Sequence, residues 1–153
     1  VRSAPVQVVV VTAEHWPEKV DTALLAYEHG PHSELSADLA AAFGGKSPTT
    51  IRAVHVLPYG ATAAEEAAAR ESMAKELGDR CEAAGQSVVQ AGDIVSGLLR
   101  QSDGVDVFVI GGTEAGLLEQ LLGYAPPLEL ADRTSRPVLT VYEMAAEPKR
   151  WIS

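Results

Sequence analysis

The chain has 153 residues, 46% of them hydrophobic and 22% charged, which suits one ordinary domain with a sizeable core and excludes a disordered segment. Its 12 basic and 21 acidic residues leave a formal net charge of −9. That charge repels phosphate backbones and anionic lipid, so no nucleic-acid partner is expected. No apolar run approaches the roughly 18–20 residues of a membrane-crossing helix, and no signal-peptide layout is present. Cys81 stands alone, without a partner for an internal disulfide. A reducing, cytoplasmic setting is expected.

The first predicted element is "VQVVVV" (residues 6–11), a β-branched run apolar on both faces, as in a parallel sheet covered by helices. "WPEKVDTALLAYEHG" (16–30) reads as a helix, with Pro17 near its start and Gly30 at its end. "SELSADLAAAFGG" (33–45) reads as another, with Ser33 as N-cap candidate and Gly44-Gly45 as its stop. "TTIRAVHVLP" (49–58) is the second predicted strand.

The clearest helical pattern covers residues 61–85. There Ala69, Met73, Leu77, Cys81 and Ala84 form one stripe, and Glu66–Arg70, Glu71–Lys75 and Glu76–Arg80 are well-oriented charge pairs. A short strand "QSVVQAG" (86–92) follows, then a helix capped by Asp93. "VDVFVIGG" (105–112) is the fourth strand. "AGLLEQLLG" (115–123) and "PPLELADRT" (126–134) form a helix broken near Pro126-Pro127. "RPVLTVY" (136–142) is the fifth strand, and the tail 143–153 is expected to be exposed. Strands alternating with helices predict a doubly wound parallel five-stranded α/β sheet in a single domain, 1–153. Ligands of such sheets bind outside the carboxyl ends of the strands, at the switch point.

"AVHVLP", "VDVFVIGG", "GLLEQLLG" and "SRPVLTVY" together resemble the universal stress protein family. The resemblance follows the whole order of elements. It is most specific from residue 105 to 141, and extra residues precede Ile51. It implies an adenine nucleotide alpha hydrolase-like fold with strand order 3-2-1-4-5. ATP-binding members carry G-x-x-G-x9-G-(S/T) after the fourth strand and an Asp at the end of the first. Here Gly111 matches the first glycine, Glu114 stands at the second, Gly116 is two residues late, and Gly123 comes one residue early, before Tyr124. Thr12 or Ala13 stands where the Asp is expected. A carboxylate ~4–6 Å from a triphosphate costs about a kcal/mol or more. The ATP motif therefore reads as degraded, with no resident cofactor expected and ATP or AMP as the nucleotides to test.

The candidate ligand site is the cleft between the ends of predicted strands one and four: Thr12, Ala13 and His15 on one side, Gly111, Gly112, Thr113, Gly116, Gly123 and Tyr124 on the other. The resemblance also implies a homodimer through the last strand, by Val138, Leu139, Thr140 and Val141. His29 and His32 straddle Pro31 without a cysteine nearby, so no metal site is expected. His55 reads as a packed strand residue and Cys81 as an inert buried thiol. No Walker A, G-x-G-x-x-G or G-x-S-x-G sequence occurs, and no catalytic set is visible.

The expected role is non-catalytic: a regulatory or stress-response protein. The alternative is a sensor of an adenine nucleotide or a cyclic dinucleotide. The ending "YEMAAEPKRWIS" resembles that of stress-protein-like domains at the cytoplasmic end of amino-acid permease-type transporters, and the first residue, Val1, is not methionine. A free-standing protein and a transporter's regulatory domain both fit.

Overall fold

The structure, a computed structural model, describes residues 6–28, 32–42, 49–112 and 126–144. Their elements, in chain order, are β1 (Val6–Thr12), β2 (Thr22–Ala26), α1 (His32–Ala42), β3 (Thr50–Pro58), α2 (Ala63–Leu77), a 3-10 turn (Ala83–Gly85), β4 (Gln86–Ala91), α3 (Ile94–Arg100), β5 (Val107–Gly112), α4 (Pro126–Arg133) and β6 (Val138–Met144). The six strands form one sheet in the order β1-β6-β5-β2-β3-β4. Five are parallel, and β1 alone runs antiparallel, at the edge beside β6.

The five parallel strands, β4-β3-β2-β5-β6, are the expected 3-2-1-4-5 sheet. The strand at its centre, however, comes from a segment read as helix. Residues 16–30 hold no helix among the described residues; Thr22–Ala26 is a strand paired to β3 on one side and β5 on the other. The physical reason is its burial. Ala23, Leu24, Leu25, Ala26 and Tyr27 are all buried, so this stretch has no polar face to give water. A centrally placed strand covered on both faces accepts that, whereas a surface helix does not. The β-branched run 6–11 is thereby moved from the sheet's centre to its edge. The extra residues before Ile51 are this added strand and the loop that follows it.

Alternation along the strands divides the core into two layers. Ala23, Leu25, Tyr27, Ile51, Ala53, Val107, Val109, Leu139 and Val141 pack with α1 and α2, through Ala37, Ala40, Met73 and Leu77. Leu24, Ala26, Val54, Phe108, Ile110 and Val138 pack with α3 and α4, through Val95, Leu98 and Leu130. α2 opens on a capping box. Thr62 accepts from the Glu65 N–H, and the Glu65 carboxylate accepts from the Thr62 N–H at 2.9 Å. The helix stops at Leu77, earlier than its apolar stripe suggested. Cys81 is buried past its end and donates to the Ile51 carbonyl, while Ala84 is exposed.

The starting ends of the strands are tied by polar contacts. The Asp106 carboxylate accepts the N–H groups of Asp21 and Thr22 at 2.8 and 2.9 Å, which pins β2 to β5. The Arg52 guanidinium donates to the carbonyls of Gln101 and Asp103 at 2.7 and 2.8 Å, which ties β3 to the end of α3. These contacts fix the relative level of the strands, and so the shape of the opposite, carboxyl end.

Candidate functional site

Strand order locates the switch point between β2 and β5, where the chain leaves one half of the sheet for the other. Ala26 lies beside Ile110 in the parallel register. Continuing that register puts Tyr27 level with Gly111 and Glu28 level with Gly112. Gly111 and Gly112 in turn pair with Val141 and Tyr142 of β6. At the switch point, this register sets a pair of residues without side chains level with the β2 exit. Glu28 is exposed there, while Tyr27 is buried, at 2%.

Three contacts hold the β2 exit in place. The Tyr27 N–H donates to the Val54 carbonyl at 2.8 Å. The Tyr27 hydroxyl donates to the Glu76 carboxylate of α2 at 2.5 Å. His55 Nδ1 lies 2.8 Å from the Tyr27 carbonyl. A carbonyl can only accept, so Nδ1 carries the proton and donates. The two rings meet edge to face, with centroids 5.7 Å apart. His55 is therefore a packed strand residue, as its sequence setting suggested, and its contact is with the residue before Glu28.

The crevice has a helix end beside it. α1 begins at His32, shortly after the β2 exit, and packs on β2, β5 and β6. The N-terminal turn of such a helix presents unpaired N–H groups and a partial positive charge. Ser36, in the second turn of α1, is buried, and its Oγ has no hydrogen-bond partner. On the far side of β2, the amide of Gln90 accepts from the Gly60 N–H and donates to the Ala61 carbonyl and the Glu66 carboxylate, fixing the turn between β3 and α2.

The two halves of the site expected from sequence are not brought together. Thr12 pairs with Val138, the first residue of β6, because β1 is antiparallel. Thr12, Ala13 and His15 therefore lie at the starting end of the parallel strands, while Gly111 and Gly112 lie at the carboxyl end. The residue at the exit of the first parallel strand is Glu28, an acid, not Thr12 or Ala13. Glu28 is hidden in the sequence because Pro17 and Gly30 frame residues 16–30 as a helix. The signal was the unbroken apolar run 23–27, closed off by Asp21 before it and Glu28 after it. Thr113, Glu114, Gly116, Gly123, Tyr124 and His29 lie outside the described residues.

The expected dimer edge is also occupied. Val138, Leu139, Thr140 and Val141 are buried, and β6 is paired on both sides, to β5 and to β1. Its backbone groups are spent within the chain. Burial pushes the Cys81 thiol up, which favours its protonated form. Among the described residues, no group of three or more His, Cys, Asp or Glu side chains is placed to hold a metal ion, and no helix is long and apolar enough to cross a membrane.

Among the solved structures that resemble the chain are two universal stress proteins. One is from Archaeoglobus fulgidus DSM 4304, with a TM-score of 0.59 and 17% identity over 83% of this chain. This chain spans only 45% of that protein's length. Another is a universal stress protein in complex with cAMP, with a TM-score of 0.59 and 22% identity, covering 82% of this chain and 98% of that one. The likeness establishes the fold: a universal stress protein sheet with one antiparallel strand added at its edge. No protein-family model matches the sequence, and no curated protein does.

Proposed function

We propose that the chain is a non-catalytic regulatory protein of the universal stress protein type, which senses an adenine nucleotide of low charge in the crevice between β2 and β5. The observation that carries this reading is Glu28. With β2 at the centre of the sheet, an acid follows the first parallel strand, level with Gly112 when the β2–β5 register is continued. A carboxylate there accepts hydrogen bonds from ribose hydroxyls or an exocyclic amine, and the two glycines let a ligand approach the main chain. Gly111 keeps the first glycine position of the ATP pattern, while Glu114 and Tyr124 depart from it. A carboxylate such as Glu114 near the phosphates penalises a triphosphate more than a single phosphodiester. The similar protein that is in complex with cAMP supports the same class of ligand. Such a site serves a free-standing chain or a regulatory domain of a longer one equally well.

Titration calorimetry with cAMP, AMP and Mg-ATP tests the reading. cAMP and AMP should bind at least tenfold more tightly than ATP, a difference of about 1.4 kcal/mol. Glu28→Ala should weaken cAMP or AMP by a further tenfold or more, while Thr12→Ala should leave both unchanged. Tighter binding of ATP, or a Glu28→Ala variant that binds as the parent does, overturns it.

A further inference from the structure

The last residue of β2 paired to β3 is Ala26, opposite Val54. One residue further on, the Tyr27 N–H still donates to the Val54 carbonyl at 2.8 Å, so the main chain of Tyr27 faces β3 as a strand residue would. Its carbonyl points the same way, and a side chain meets it there: His55 Nδ1 donates to it at 2.8 Å. The Tyr27 carbonyl and the Glu28 N–H belong to one peptide group. Such a group is planar and trans, so its C=O and N–H point in opposite directions. β2 lies between β3 and β5. With the carbonyl held toward β3, the Glu28 N–H is therefore turned toward β5, the side of Gly111 and Gly112.

We propose that His55 is the positioning residue of the crevice: by holding the Tyr27 carbonyl, it aims the Glu28 N–H toward β5 as a donor for an acceptor atom of the bound nucleotide. Its role in binding rests on the crevice being a nucleotide site, as proposed above; its hold on the peptide group does not. Glu28 then recognises the ligand twice, its carboxylate accepting and its main-chain N–H donating. The His55 ring is itself fixed. It meets the Tyr27 ring edge to face, with centroids 5.7 Å apart, and the Tyr27 hydroxyl is anchored to Glu76 of α2. One residue, Tyr27, thus orients the imidazole through its ring and receives the imidazole's proton at its carbonyl. Without a donor at position 55, that carbonyl turns toward water to recover a hydrogen bond, and the Glu28 N–H turns with it.

Two variants separate the donor from the bulk of the ring. Asparagine Nδ2 lies as many bonds from Cβ as histidine Nδ1 does, so His55→Asn keeps an N–H for the Tyr27 carbonyl. His55→Leu fills the place but donates nothing. In the free, isotopically labelled chain, the N–H residual dipolar coupling of Glu28 reads the direction of that bond. It should match the parent in His55→Asn and average toward zero in His55→Leu. By calorimetry, cAMP should bind His55→Asn within about threefold of the parent and His55→Leu about tenfold more weakly, the weight of one hydrogen bond.

A role in stability alone would lower the thermal midpoint of both variants without a loss of affinity that follows the donor. A parent that binds neither cAMP nor AMP, with a Glu28 coupling that still follows the donor, refutes the nucleotide reading and leaves His55 as the residue that orients the β2 exit. A Glu28 coupling unchanged in His55→Leu, or a leucine variant that binds cAMP as tightly as the asparagine variant, overturns the proposal.

Discussion

Tyr27 shows how one residue links core and site. Its ring is buried between α1 and α2, its carbonyl accepts from His55, and its hydroxyl donates to Glu76. Burial first, then the Glu76 carboxylate as hydrogen-bond acceptor and as negative charge, holds the phenol well above its ordinary value of 10.0. The folded chain therefore keeps this proton at a pH where the unfolded chain gives it up. Stability from Tyr27 is complete below about pH 10 and declines as pH rises above it. Tyr142 is shifted the same way by burial, so it contributes to the same alkaline loss. Tyr27→Phe should cost about 1 kcal/mol in urea at neutral pH, since the half-buried Glu76 can recover water. The variant should also lose less stability than the parent between about pH 9 and pH 11. An unchanged alkaline slope would show that the phenol's proton is not linked to folding.

At the scale of elements, close packing decides what can change. Gly97 lies in α3 where it crosses β3. A Cβ there would stand 2.7 Å from both Val56 methyls and 3.2 Å from the Ala91 Cβ. α3 comes this close because residue 97 has no side chain. Gly97→Ala gains helix propensity of about 1 kcal/mol in an exposed helix, but overpacking costs typically 1–3 kcal/mol. We expect a net loss of about 1 kcal/mol or more in urea unfolding. Adding Val56→Ala should restore part of it, because the two changes share one contact. Strict additivity of the two losses would refute the packing argument.

The same scale explains what was legible in the sequence. β3, β4, β5 and β6 were readable because each is a β-branched run closed by turn residues, and the Asp93 cap was readable because its carboxylate accepts from the Ser96 N–H at 2.8 Å, as local chemistry demands. β2 was not. Alanine and leucine favour helix, and Pro17 and Gly30 frame the stretch as one. Tertiary burial overrode that local preference. One such error moved the site, since the residue at the exit of the first parallel strand changes from Thr12 to Glu28. The glycine end of the crevice was legible because Gly111-Gly112 closes a strand whose apolar run is unmistakable.

At the scale of the whole molecule, the proposed ligand site lies at the carboxyl end of the parallel strands, between β2 and β5, and not at the starting end where Thr12 lies. The helix N-terminus of α1, the glycine pair and Glu28 all belong to that end, while the Asp106 and Arg52 contacts belong to the other. Backbone amide NMR of the labelled chain, titrated with cAMP, tests this most directly. The largest shifts should fall on residues 26–28 and 111–112, with Thr12, Ala13 and His15 unmoved. Shifts confined to residues 12–16 or to the outer face of α2, with 26–28 and 111–112 silent, would contradict it.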